Sequence, residues 1–95
     1  MSHSRILVEY DPRKAAANLR KHKVSFEEAL TVFDDPLSST LPDDQHSIDE
    51  RRLITVGMSV RHRLLFVVYT ESENRIRLIG ARVVTASEKK QYEQN

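Results

Sequence analysis

Between Arg51 and Arg82 every basic residue is an arginine: Arg51, Arg52, Arg61, Arg63, Arg75, Arg77 and Arg82. A planar guanidinium matches a phosphate or carboxylate through two parallel hydrogen bonds and stacks on flat rings, which an ammonium cannot do. The bias points to a surface that grips phosphate or meets an acidic partner. The bland alternative is edge-strand charge that blocks aggregation. Position adds weight to the first. Residues 1–50 carry six Lys/Arg against ten Asp/Glu, net −4, while residues 51–95 carry nine against four, net +5; the total of +1 hides this split.

Within the arginine-rich half, a strand from Arg75 to Val84 has a period of two that sets Ile76, Leu78, Gly80 and Arg82 on one face and Arg75, Arg77, Ile79 and Ala81 on the other. Arg82 next to Gly80 reads as a cation over cleared backbone, a seat for phosphate, or else as a snorkelling strand-end arginine paired with a glutamate. Arg52 opens a strand in phase with Ile54, Val56 and Met58, so it too aligns with an apolar row. His22, between Lys21 and Lys23, is either a proton carrier or the cap of a helix C-terminus. Tyr92 is a core-edge aromatic or a phenol reaching a site.

Other chemistries find no support. The chain has no cysteine, hence no disulfide, thiolate nucleophile or cysteine zinc site. His3, His22, His46 and His62 are scattered singly, and although His46 lies among Asp43, Asp44 and Asp49, no paired metal-ligand spacing occurs. We expect no metal and no cofactor. No serine sits on a glycine-flanked turn, and Gly57 and Gly80 both fall inside strand patterns, so neither a nucleophile elbow nor a phosphate-cradling loop is present.

The elements that must position these residues are legible from their boundaries. Ile6 to Tyr10 is a short strand. Asp11-Pro12 is an N-cap and first-turn proline, opening a helix to about Lys21 with Ala15, Ala16 and Leu19 on its apolar face. Ser25-Phe26-Glu27-Glu28 is a capping box that opens a second helix, stapled by Val24 on Ala29 and ended by Asp34-Asp35-Pro36. The pair is no DNA-reading helix–turn–helix, because Glu27, Glu28, Asp34 and Asp35 would repel phosphate. Leu37 to Leu41 is a strand candidate, followed by an acidic, mobile loop through Glu50. Arg52 to Ser59, Leu64 to Tyr69 and Arg75 to Val84 form a meander, and Thr85-Ala86-Ser87-Glu88 caps a last helix through about Gln94. The expectation is one domain over residues 1–95 of α+β class, a small antiparallel sheet with helices packed against it. The first ten residues hold too short an apolar run for a signal peptide, and no stretch approaches the ~20 apolar residues of a membrane span, so a soluble cytoplasmic protein is expected.

Several stretches together resemble one family. Asp11-Pro12-x-Lys14 with Asn18, Lys21-His22-x-Val24-Ser25-Phe26-Glu27-Glu28-Ala29, and Val32-Phe33-x-Asp35-Pro36 are similar to the N-terminal half of BrnT-type toxins. His46-Ser47, Glu50-x-Arg52 leading to Gly57-Met58, and Arg75-Ile76-Arg77-Leu78-Ile79-x-Ala81-Arg82, with Glu88 and Tyr92, resemble the rest. The resemblance implies a RelE-like fold and a ribonuclease toxin of a type II toxin–antitoxin pair. It also implies a BrnA-type antitoxin with a ribbon-helix-helix part, and contact with DNA only through a complex that represses the operon. RelE-like relatives place a histidine–tyrosine or similar pair at the end of the last strand. Here Val83-Val84-Thr85 stand there, so the active residues must come from this chain's own pattern. On that basis Arg52 and Arg82 are assigned to the reacting phosphate, His22 to acid–base work and Tyr92 to proton donation. Lys21, Arg63, Arg75 and Arg77 are assigned to flanking RNA phosphates. The rival reading is a non-catalytic module whose arginine face docks an acidic protein.

Overall fold

The computed structural model describes residues 6–46 and 50–94; Ser47, quoted for the resemblance, and part of the acidic loop lie outside them. Strand β1 (Leu7–Glu9) leads into helix α1 (Pro12–His22), helix α2 (Phe26–Thr31), a 3-10 turn (Val32–Asp34) and strand β2 (Ser39–Pro42). A second 3-10 turn (Asp44–His46) precedes β3 (Arg51–Met58), β4 (Leu64–Ser72) and β5 (Arg75–Val83), and α3 (Ala86–Gln94) closes the chain.

The boundary residues act as their chemistry requires. Asp11 accepts the Arg13 N–H at 2.8 Å, and Lys23 ends α1 in the left-handed region at φ 60°, its N–H returning to Leu19 O. Ser25 accepts the Glu28 N–H at 3.0 Å. The box is half closed, because the Glu28 carboxylate is drawn elsewhere. Thr85 and Glu88 form the full reciprocal box, at 2.9 and 3.1 Å.

The strands form one sheet in the order β1-β5-β4-β3-β2. The meander β3-β4-β5 and the β2–β3 pair are antiparallel; β1 joins β5 in parallel, so the sheet is mixed rather than purely antiparallel. Helices α1 and α2 cover one face. There Val24, Phe26, Ala29 and Val32 pack on Leu53, Leu65, Val67, Tyr69, Ile76, Leu78 and Ala81. Tyr10 meets Phe26 edge to face, as Phe33 meets Tyr69.

Two expectations about phase are corrected. The buried row of β3 is Leu53, Thr55 and Gly57, and Arg52, Ile54, Val56 and Met58 belong to the opposite face. On β5 a bulge intervenes: Tyr69 faces Leu78 but Val68 faces Gly80, leaving Ile79 as the extra residue. A bulge inverts the alternation beyond it. Ala81 therefore joins Ile76 and Leu78 in the core, and Arg82 turns to the same side as Arg77.

Two close approaches fix this frame. Gly57 is obligatory, since a Cβ there would stand 2.8 Å from Val32 Cγ1 and 2.9 Å from Ser38 Cβ. The Asn18 carboxamide occupies the edge of β5 beyond the end of β1. Its Nδ2 donates to Ala81 O (2.8 Å) and Val24 O (2.9 Å), and its Oδ1 accepts the Ala81 N–H (3.1 Å). One side chain thus completes the ladder where a strand is missing.

Candidate active site

The sheet face that α1 and α2 leave uncovered gathers the arginines. Cross-strand register sets Arg52 opposite Thr70, Thr70 opposite Arg77, and Arg77 opposite Glu9, a polar row across four strands. A second row, Val56, Phe66 and Arg82, lies four β4 residues away on the same face. Arg52, Arg77 and Arg82 therefore share one surface, and Arg75 leans on its margin.

Arg82 is the most constrained of them. Its guanidinium lies 4.2 Å from the centroid of the Phe66 ring, a cation–π contact. Its two terminal nitrogens donate in parallel to the Glu88 carboxylate at 2.8 and 2.9 Å. The fork-to-fork pair holds the Glu88 carboxyl down to about 2, against partial burial and with help from the Thr85 N–H, and raises Arg82 further above its ordinary value. Both groups are charged throughout the physiological range. The other arginines are held more loosely: Arg77 by Glu9 (3.3 Å) and Glu50 (3.9 Å), Arg75 by Glu9 (4.0 Å), and Arg52 by Asp43 (3.4 Å).

Helix α3 brings Tyr92 to this side. Tyr92 and Glu88 line a cavity of about 180 Å³ with Phe66, Val56 and Ile54. The phenol donates to Leu37 O at 2.8 Å. Partial burial and the nearby Asp35 carboxylate raise its pKa, so it stays protonated. Asp35 is itself held below the ordinary carboxylate range by the Met58 and Leu37 N–H groups.

His22 and Lys21 belong to α1, which runs beside β5. Lys14 shares a cavity with Arg77 and Leu78, and Asn18 sits on Ala81. One turn beyond Asn18 and on the same inward side of α1, His22 lies in the helical layer, so the sheet separates it from the face that carries Arg52, Arg77 and Arg82. The His22 imidazole makes no hydrogen bond or ion pair with another described residue.

Arg63 takes a different place from the other arginines. It reaches α2, donating to Lys23 O (2.9 Å) and through both Nε (2.9 Å) and Nη2 to the Glu28 carboxylate. Ser59 donates to the same carboxylate at 2.7 Å, and these bonds, Arg63's above all, hold the Glu28 carboxyl below its ordinary value despite burial. Arg63 thus anchors the β3–β4 turn to the helical layer instead of standing with Arg52, Arg77 and Arg82.

Sequence reasoning weighed a glutamate partner for Arg82, which proves to be Glu88, and missed the carboxylates that hold the other arginines. Glu88 is visible as half of a capping box, but its second role depends on the bulge that aims Arg82 at it. Gly80, a glycine inside a strand, is the signal that marks such a bulge. Among the described residues no group of three or more metal-ligating side chains occurs, and no helix is long and apolar enough to cross a membrane.

Comparison with known proteins agrees with this architecture. The family model described as the ribonuclease toxin BrnT of type II toxin–antitoxin systems matches residues 10–88, which include Arg52, Arg77, Arg82 and Glu88. Among solved structures, the 1.1 Å crystal structure of the Brucella abortus ribonuclease toxin BrnT is similar, with a TM-score of 0.64 and 16% identity over 87% of this chain and 99% of that one. No curated protein matches significantly. The match over most of its length, on a fold that the crystal structure shares, makes this chain a member of the BrnT family of ribonuclease toxins of type II toxin–antitoxin systems.

Proposed function

We propose that the chain is a metal-independent endoribonuclease toxin whose reaction takes place on the open sheet face. The observation that carries this reading is the convergence of Arg52, Arg77 and Arg82 on one surface, with Arg82 fixed between Phe66 and Glu88. RNA brings its own nucleophile, the 2′-hydroxyl. It attacks the adjacent phosphorus, the P–O5′ bond breaks, and a 2′,3′-cyclic phosphate and a 5′-hydroxyl result. Negative charge builds on the non-bridging oxygens, where pre-aimed guanidinium groups stabilise it; losing one such donor costs ~10²–10³ in rate. Arg82 holds the reacting phosphate, and Arg52, Arg75 and Arg77, whose row lies about 13 Å along the strands from it, hold its neighbours.

Two protons must also move. His22 sits in the helical layer across the sheet from these arginines, so a proton role for it requires RNA that passes round the sheet edge. Tyr92, kept protonated, is the donor to the leaving 5′-oxygen once its bond to Leu37 O is released. Lys21, on α1, and Arg63, tied to Glu28 on α2, belong to the helical layer and stand apart from this row of arginines. Incubating the purified toxin, freed of any partner, with total RNA in EDTA tests the whole reading. Fragments ending in 2′,3′-cyclic phosphate are expected, and intact RNA at micromolar protein would reject it.

We further propose a BrnA-type antitoxin with a ribbon-helix-helix part, which shares a complex with the toxin that represses the operon, in the cytoplasm. One observation favours a second reading of the face: Arg52, Arg75, Arg77 and Arg82 already bind carboxylates, so the surface also suits an acidic protein segment. The antitoxin is the natural candidate for such a segment.

A further inference from the structure

Helix α1 carries a second cationic surface, of a different kind from the sheet. Its buried or half-buried positions are Ala15, Asn18 and His22, the spacing of a single inward stripe. Arg13, Lys14, Arg20 and Lys21 lie exposed on the other side, joined by Lys23 just past the helix end. The helix contains no Asp or Glu, and none of these five cations pairs with a described carboxylate. The sheet arginines Arg52, Arg75, Arg77 and Arg82, by contrast, all have acidic partners. Residues seven apart return to the same side of a helix about 10 Å along its axis, so Arg13 and Lys14 line up with Arg20 and Lys21. Exposed Ala17 leaves the ground between them flat.

This surface is continuous with the open face. Lys14 and Arg77 line the same cleft, about 300 Å³, with Glu9, Tyr10, Asp11 and Leu78, where the edge of the sheet meets the start of α1. Arg77 and Lys14 thus stand at one cleft between the open face and α1, with Glu9, which pairs with Arg77, and the N-cap Asp11 in the same lining.

We propose that the outer face of α1 binds the phosphate backbone of the RNA substrate flanking the cleaved bond, reached around the sheet edge through the Lys14–Arg77 cleft. The inference deepens the ribonuclease reading and rests on it. Ala16 and Leu19, expected on the covered side, are exposed. Leu19 lies about 100° round the helix from Arg20, so the cations surround only Ala17. RNA backbone therefore suits this face better than a protein partner, which relies on an aromatic or aliphatic anchor. A backbone contact reads charge rather than shape, so lysine and arginine serve equally here.

The test uses full-length toxin, a 20-nucleotide 2′-O-methyl RNA that lacks the attacking hydroxyl, and fluorescence anisotropy across a salt series. The variant Arg13→Gln/Lys14→Gln/Arg20→Gln keeps good helix formers. It should bind the probe at least about 10-fold more weakly, with the slope of log affinity against log salt shallower by about 2, as expected for three lost contacts to a single strand. Lys14→Arg should bind like wild type. For cleavable RNA the triple variant should show a raised KM. An unchanged affinity and slope in the triple variant, with wild type still cleaving RNA, overturns the α1 surface and leaves the ribonuclease reading standing. A wild type that binds the probe but yields no cyclic-phosphate ends overturns the reading of the activity instead. Loss of antitoxin binding with RNA affinity intact would assign the surface to the protein partner and reject the inference. If the triple variant melts early, Lys14→Gln alone, with its expected slope change of about 0.7, decides the matter.

Discussion

Arg82 is the most firmly held arginine of the open face because three unlike constraints fix it: a π face beneath, a carboxylate in front and a bulge that aims it. Arg82→Ala should abolish growth inhibition on expression, and Arg82→Lys should restore little of it, since an ammonium cannot reproduce the fork; plating assays with a melting curve for each variant decide this. Its partner sets a pH dependence. The Glu88 carboxyl is depressed to about 2, so in the unfolded chain it takes up a proton at a higher pH than in the folded one. The pair's contribution is fully present above the ordinary carboxylate range and is lost as pH falls from about 4.5 towards 2. Melting temperature should accordingly be insensitive to this pair between pH 6 and 8 and fall below it, and Glu88→Gln should remove part of that acid sensitivity. His22→Gln separates two roles. Lys23 rather than His22 caps α1, so the alternative is packing. A proton carrier loses ~10²-fold or more in rate with normal melting, whereas a packing residue on the inward side of α1 lowers stability by about 1 kcal/mol and leaves the rate.

At the scale of elements, the molecule depends on a few side chains that stand in for missing backbone. Asn18 is the clearest, since its carboxamide satisfies three backbone groups, two on β5 and one in the α1–α2 connection. Asn18→Ala would leave buried groups unpaired at a cost of about 1–3 kcal/mol each, so a total loss of about 3 kcal/mol is expected by urea unfolding. Asn18→Asp should be nearly as harmful, because a carboxylate cannot donate to Ala81 O and Val24 O. Helix α3 is the opposite case. None of its described residues is buried, and its side-chain bonds to the sheet and the β2 approach are the Glu88–Arg82 pair and the Tyr92–Leu37 bond. Hydrogen exchange should find α3 the least protected helix, as sparse burial predicts.

For the whole molecule, the split of charge between the halves becomes a split between surfaces. The acidic residues of α2 and the following turns lie apart from the open face, except where Asp35 reaches Tyr92 and where Asp43 and Glu50 reach the arginines. An antitoxin that silences this face has to present anions to it or cover it. RNA and antitoxin should then compete, the association rate should fall as salt rises, and Arg77→Glu should weaken both. Arg63→Glu tests something else. It would set a second carboxylate against buried Glu28, so it should destabilise the fold by roughly 3 kcal/mol before it affects any ligand. Antitoxin affinity unchanged in a well-folded Arg77→Glu variant would move the partner to another surface.

How much of this was legible beforehand follows the range of the forces involved. Element order, the helix starts at Asp11-Pro12, Ser25 and Thr85, and the meander are local properties, written in capping residues and in a period of two or 3.6. The family was legible too, because motifs in order and at fixed spacing need no coordinates. The faces of the strands were not. Arg82 reads as aligned with Ile76 and Leu78 until Ile79 bulges out, and one extra residue inverts everything beyond it. Arg52 reads as core-aligned because Ile54 and Val56 are as apolar as Leu53, and only the packing of α2 decides which row is covered. Arg63 and Arg82 are equivalent in sequence, an arginine beside an apolar run. Glu28 and Glu88, each distant or turned away until the chain folds, make the first an anchor for the helices and leave the second on the open face. Pairing between charges across elements is set by where side chains meet in space, and that is decided only by the tertiary structure.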